Sequence, residues 1–285
     1  MAPLLNQHAP AMSLPHLTES YQQRFAGIGR LYGQRALEAL ASAHCVVIGI
    51  GGVGSWAAEA LARSGVGEIT LIDMDEICVT NTNRQLHTLT TTIGASKGEV
   101  MAERLRGINP EITLHVIDDF VEPENVALRL TKAHHCVLDC IDSAFVKAAI
   151  IGHCKRQKIP VITAGSSGGK TDPRQISTLD LAKTTNDPLL AKTRNNLRRL
   201  YHFSRNPKRN FSVEAVYSTE QLKFPTPEGG VCENKSALGE SVKLDCSGGL
   251  GAITMVTASF GMVMASRAVE KLIQRKAPAD APATP

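Results

Sequence analysis

Four glycines within six residues, Gly49, Gly51, Gly52 and Gly54, separate a short apolar run over 44–50 (HCVVIGI) from an alanine- and leucine-rich helical pattern over 51–64. A second apolar run of strand length follows over 68–73 (EITLID). Strand, glycine turn, helix and strand make a βαβ unit, whose crossover is right-handed and whose strands are parallel. Glycine at these positions lets the backbone turn sharply and approach a phosphate, while the following helix offers unpaired N–H groups and a partial positive charge. The chain is therefore expected to bind a nucleotide at the carboxyl end of its first strand.

The same rhythm continues. Helical patterns over 96–107, 123–132 and 145–157 alternate with strand-like runs over 113–118, 135–139 and 160–164. The alternation predicts an α/β fold, a Rossmann-like doubly wound and mostly parallel sheet with a basic C-terminal insertion. With 43% hydrophobic and 20% charged residues, the 285-residue chain has the material for a sizeable core. Aromatics at 4% argue against an all-β sandwich and against an aromatic-lined groove for single strands. The division expected is a flexible leader at 1–20, a nucleotide-binding region at 21–165, a basic insertion with loops at 166–247, a C-terminal helix at 248–275 and a disordered tail at 276–285. Past 165 the sequence predicts an extended run over 175–181, a basic helix over 189–203, a strand over 211–218 and an irregular loop over 223–244. Residues 246–266 carry no charge and could span a bilayer by length. Their four glycines and five Ser/Thr make them weakly apolar, so a helix buried against the sheet is the expected reading.

Seven cysteines contain no Cys-x-x-Cys pair, which argues against a disulfide framework and a zinc ribbon and suits a reducing cytosol; no zinc is expected. The net charge of +4 is concentrated: residues 170–224 hold eleven bases against five acids. Such a segment can neutralise phosphates, and Lys183, Arg194, Arg198, Arg199, Lys208 and Arg209 are its candidate phosphate contacts.

The remaining charges bear on which nucleotide binds. Asp73 ends the second strand 19 residues after Gly54, where a carboxylate can accept from ribose hydroxyls. Arg84 and Lys97 follow it. Hydride transfer has little use for extra cations near phosphates, whereas attack on an α-phosphate with loss of pyrophosphate needs them. Asp139 and Asp142, just after a strand, offer carboxylates for magnesium. Cys232 and Cys246 are possible thiols for an acyl intermediate, while Cys45, Cys136 and Cys140 read as core.

As an ordered set, Arg24-Phe25, Arg30-Leu31-Tyr32-Gly33, the loop GIGGVGS, Leu71-Ile72-Asp73-Met74-Asp75, Asn81-Thr82-Asn83-Arg84-Gln85, Lys97 and Asp139-Cys140-Ile141-Asp142 resemble the adenylating enzymes related to ubiquitin activation, the ThiF, MoeB and HesA family. The resemblance implies ATP and Mg2+ as ligands. It implies that the loop glycines, Asp73 and Asp75 hold the nucleotide, that Asn81, Arg84 and Lys97 hold its phosphates, and that Asp142 serves the magnesium. It further implies a homodimer in which Arg24 enters the neighbouring site, so that Arg24, Arg84, Lys97 and Asp142 form the catalytic set. Over 21–273 the finer resemblance is to the branch that dehydrates threonylcarbamoyladenosine in tRNA, carried by 79–85 (VTNTNRQ), 180–184 (DLAKT) and 245–252 (DCSGGLGA). That branch implies tRNA as partner and, further, a cysteine desulfurase with its sulfur-acceptor protein. Two other functions remain open at this level: activation of the C-terminus of a small ubiquitin-like sulfur carrier, and a non-catalytic nucleotide-binding scaffold.

Overall fold

Alternate residues of each short strand pack into different layers, so the sheet has to be covered on both faces. In the computed structural model, which describes residues 17–226, 229–233 and 250–274, the first five strands are β1 (His44–Ile48), β2 (Glu68–Ile72), β3 (Thr113–Ile117), β4 (Cys136–Asp139) and β5 (Val161–Ala164). With β6 (Ile176–Asp180) and β7 (Glu214–Ser218) they form one seven-stranded sheet in the order β3-β2-β1-β4-β5-β7-β6. Every pairing is parallel except β6 with β7. The residues past 165 thus extend the nucleotide-binding sheet itself.

Cys45 and Val47 of β1, with Leu138 and Val216, face a core built by α3 (Gly54–Arg63), α4 (Lys97–Ile108) and α8 (Thr254–Ile273). Val46 and Ile48 face the opposite core, built by α6 (Ala144–Gln157) and α7 (Pro188–Leu200). Residues 254–266 of the uncharged C-terminal run form the first part of α8, packed on α3 so closely that a Cβ on Gly261 would stand 2.8 Å from the Ala57 nitrogen. Among the described residues no helix is long and apolar enough to cross a membrane.

Three elements differ from the sequence reading. A 14-residue helix, α1 (Glu19–Tyr32), precedes α2 (Gln34–Ala41) and starts inside the expected leader. The helix expected over 123–132 shrinks to α5 (Val126–Arg129). Asn125 explains this: its side chain accepts from Glu122 N–H at 2.8 Å and donates to the Phe120 carbonyl at 2.8 Å, holding a turn in place of helical bonds. The loop expected over 223–244 contains a small hairpin, β8 (Phe224–Pro225) with β9 (Val231–Cys232).

Candidate nucleotide-activation site

After β1 the chain goes to β2 on one side, and after β3 it crosses to β4 on the other, so the crevice of this sheet opens between the carboxyl ends of β1 and β4. Gly49 begins the loop there with φ +83°, and a Cβ on it would press on Ile141 Cγ2 at 3.0 Å. At Gly54 a Cβ would overlap the Gly49 carbonyl, so only glycine lets α3 start at the crevice. No side chain caps the first turn of α3, which leaves its N–H groups and positive end for an anion. Gly52 is closed in by Arg84 Cγ and Thr257, whereas the nearest neighbour to a Cβ on Gly51 would be Gln85 Nε2, at 3.7 Å.

Asp73 stands directly behind this loop. Its Oδ2 accepts the Ile50 N–H at 2.6 Å and its Oδ1 the Asp75 N–H at 2.9 Å. Burial raises the Asp73 carboxyl, and these N–H groups together with the Lys97 charge oppose the rise. Lys97 itself is buried at the first position of α4 and reaches Asp75 Oδ2 at 2.7 Å. A cation there opposes the helix dipole by about 0.3–1 kcal/mol, a local cost of the kind functional sites carry.

Between the glycine loop and Lys97 lie buried polar atoms without partners: Gln85 Oε1, both ring nitrogens of His87 and Thr88 Oγ1. Burial, then the charge of Lys97, pushes the His87 imidazole down to about 4, so it is neutral at neutral pH. An uncapped helix N-terminus and an inward cation suit a polar anionic ligand such as ATP.

The segment 81–85 is fastened from three sides. The Asn81 side chain accepts Cys78 N–H at 3.1 Å, and Arg84 Nη1 donates to the Thr80 carbonyl at 2.9 Å and to Asn83 Oδ1 at 3.0 Å. Trp56 Nε1 donates to the Arg84 carbonyl, Thr254 Oγ1 to the Asn83 carbonyl at 2.6 Å, and Asn83 Nδ2 to the Ala252 carbonyl at 2.8 Å. Trp56, Thr254 and Thr257 were not singled out in the sequence, and Asn83 only as part of a motif: Trp56 lies 28 positions from Arg84, and the bonds from 252–257 join segments some 170 positions apart.

The two carboxylates after β4 separate. Asp139 is fully buried, with Lys147 Nζ at 3.1 Å from Oδ1 and Thr163 Oγ1 donating to Oδ2 at 2.7 Å. It is structural and withdrawn from metal binding. Asp142 is exposed at the crevice. One exposed carboxylate beside substrate phosphates is the usual way a protein holds magnesium, so the donor set here suits that ion.

Comparison with known proteins settles the kinship. The ThiF family profile matches residues 22–284. The chain belongs to the ThiF family. It is 51% identical to the tRNA threonylcarbamoyladenosine dehydratase of Escherichia coli, over 92% of this chain and 97% of that protein. It is 54% identical to the dehydratase of the same name from Haemophilus influenzae, over 90% and 96%. The solved structure of the E. coli dehydratase TcdA in complex with ATP superposes with a TM-score of 0.80 at 49% identity, covering 90% of this chain and 96% of that one.

In this ThiF-family chain Arg24 is exposed on α1, beside Tyr21 and Phe25, which pack on Gly65 just past the far end of α3. Ten residues of helix, about 15 Å, thus lie between Arg24 and its own glycine loop. Of the basic set, Arg199, Lys183, Lys208 and Arg209 are exposed, and Arg198 lies over the Phe211 ring at 5.6 Å. Arg194 turns inward to Thr184 Oγ1 and the Leu181 carbonyl, and burial lowers its pKa. Lys170, also counted in the basic segment, is buried 3.7 Å from Asp187. Asn196 of α7 donates to the Ala144 carbonyl at 3.2 Å, which ties the basic helix to the start of α6, two residues after Asp142.

Cys232 is half-buried against Leu222 and Phe224, and Cys246 lies outside the described residues. Cys78 is exposed beside the site, with the Thr80 hydroxyl lowering its pKa. A cavity of about 720 Å³ lined by Lys155, Lys158, Arg267 and Lys271 opens at the amino ends of β5 and β7, the edge opposite the glycine loop.

Proposed function

We propose that this chain is an ATP-dependent tRNA threonylcarbamoyladenosine dehydratase, acting by adenylation of the substrate carboxylate. The observation that supports it most is the likeness to dehydratases along almost their whole length, one of them solved with ATP, in a chain whose crevice is lined for an anionic nucleotide. A free carboxylate is a poor electrophile. Attack of its oxygen on the α-phosphate of ATP forms a mixed anhydride and expels pyrophosphate. The carbamoyl group tethered a few bonds away then attacks the activated carbon, with the large effective concentration of a held nucleophile. AMP leaves with the carboxylate oxygen, and the nucleoside has lost one water.

In this reading the loop glycines, Asp73 and Asp75 seat the nucleotide, and Asn81, Arg84 and Lys97 meet the phosphates. Asp142 is the residue to hold Mg2+, which neutralises phosphate charge when bound. A cytoplasmic homodimer is part of this proposal: a ten-residue helix lies between Arg24 and its own glycine loop, so the role that the family resemblance gives Arg24 would be exercised in a partner's crevice. A cysteine desulfurase and its sulfur-acceptor protein are the further partners proposed.

Incubation with tRNA carrying threonylcarbamoyladenosine, ATP and Mg2+ is expected to yield AMP, pyrophosphate and a nucleoside lighter by about one water. Unchanged tRNA beside an adenylated carrier protein would establish carrier activation instead. The tRNA surface is assigned to the exposed part of the basic segment. Replacing Arg199, Lys208 and Arg209 together by alanine should weaken tRNA binding and reduce its salt slope by roughly 2–3, with ATP affinity unchanged. Arg194→Ala should instead lower stability, since its guanidinium bonds the fold. Equal salt slopes in the triple variant and the parent would place tRNA elsewhere.

A further inference from the structure

Four of the chain's nine histidines gather at the amino end of the sheet, away from the nucleotide crevice: His44, His115, His134 and His135. Strand register puts them there. His44 pairs with Glu68 across β1 and β2, and Thr70 pairs with His115 across β2 and β3, so His44, Glu68, Thr70 and His115 share one face. Glu68 Oε1 lies 2.8 Å from His115 Nε2 and 3.3 Å from His44 Nδ1, and the three donor atoms lie within 4.8 Å of one another.

We propose that His44, Glu68 and His115 form a binding site for a divalent transition-metal ion of the zinc class. A tetrahedral ion with bonds of about 2.0–2.1 Å holds neighbouring donors about 3.3 Å apart, so the observed spacings need only small side-chain movements to admit it. Two imidazoles and one carboxylate are a borderline-soft set that prefers zinc, cobalt or nickel to magnesium. They leave a fourth position for water.

The surroundings also suit a ligand role. His44 Nε2 lies 2.8 Å from Thr70 Oγ1, and the buried hydroxyl can accept that N–H, which fixes the tautomer with Nδ1 turned to the ion. The His44 backbone N–H donates to His135 Nδ1 at 2.9 Å, and Thr131 N–H donates to His134 Nδ1, so the flanking imidazoles are held as a wall around the site. His134 stands edge-on to His44 with ring centroids 4.7 Å apart. Half-exposed His115 and Glu68 give an ion access from solvent. The site would staple β1, β2 and β3 at the end away from the glycine loop, so it should act on stability and leave nucleotide binding unaltered.

The test uses the full chain, stripped with a chelator and dialysed, and titrated calorimetrically with zinc chloride and with magnesium chloride. One zinc per chain is expected, with a rise in melting temperature that magnesium does not reproduce and with unchanged ATP affinity. His115→Ala and Glu68→Gln, both at solvent-accessible positions, should each weaken zinc binding at least about 10-fold. Circular dichroism checks that each variant is folded. Cobalt supplies the ligand signature: nitrogen and oxygen ligation gives a d–d spectrum without a thiolate charge-transfer band. Absence of zinc binding, a thiolate band, or equal zinc affinity in both variants and the parent would each overturn the proposal.

Discussion

Lys97→Ala is expected to slow pyrophosphate release by about 10²–10³-fold while changing ATP affinity and stability far less. The reasoning starts from position. Lys97 is the first residue of α4, where the helix dipole disfavours a cation, and its side chain is 93% removed from solvent. Its ion-pair partner Asp75 is half-exposed, and the pair therefore adds little to the fold. Removing the ammonium leaves Asp75 to water and relieves the dipole conflict, so folding free energy should move by under about 1 kcal/mol. Catalysis should respond strongly, because negative charge grows on the leaving pyrophosphate only as the new bond forms, and a buried, pre-positioned ammonium acts there with little screening. Asp75→Asn separates the roles: it frees Lys97 without removing its charge and should keep most of the activity. If the alanine variant released pyrophosphate at the parent rate, the phosphates would have to be met by Arg84 and the N–H groups of α3 alone.

The parts of this site that were legible in the sequence are those set by local chemistry. Glycine at 49 and 54 is demanded by a positive φ and by a carbonyl where a Cβ would be, and such demands leave a local spacing. Strands β1, β2, β4 and β5 show as apolar runs because both faces of a parallel sheet are covered there. Helix α1 was missed although Tyr21, Phe25 and Ile28 recur at helical spacing and Thr18 caps the start by accepting Tyr21 N–H. Its glycines at 27 and 29 hide it, and its anchor, Gly65, lies beyond α3. Charge counting along the basic segment cannot tell an outward guanidinium from one turned to Thr184, nor an exposed lysine from Lys170 beside Asp187. The clamp from Thr254 and Ala252 onto Asn83 joins distant segments and has no local pattern to read.

Asp139→Ala should destabilise the protein by about 3–5 kcal/mol, among the largest single-residue effects in this fold. Asp139 and Lys147 are both fully buried, so removing the carboxylate strands an ammonium among β4, β5 and α6. The Lys147 Nζ would keep only the Asp139-position carbonyl and Thr163 Oγ1, each at 3.2 Å, and these neutral acceptors do not replace a counter-charge. Loss of the pair as a whole is a different matter, since both desolvation costs vanish with it. The double variant Asp139→Leu with Lys147→Met should therefore be markedly more stable than either of its single variants, Asp139→Leu or Lys147→Met, giving a coupling energy of about 1–3 kcal/mol. Urea midpoints at constant m-value measure all of these. The pair also reaches function, because Asp139 ends β4 three residues before Asp142 and Lys147 lies in the first turns of α6, so together they fix the loop between. Adenylation by the double variant should fall even where its stability is kept, through displacement of Asp142. A single alanine variant within 1 kcal/mol of the parent would mean that water enters beside Lys147 and that the β4 edge is softer than its packing indicates.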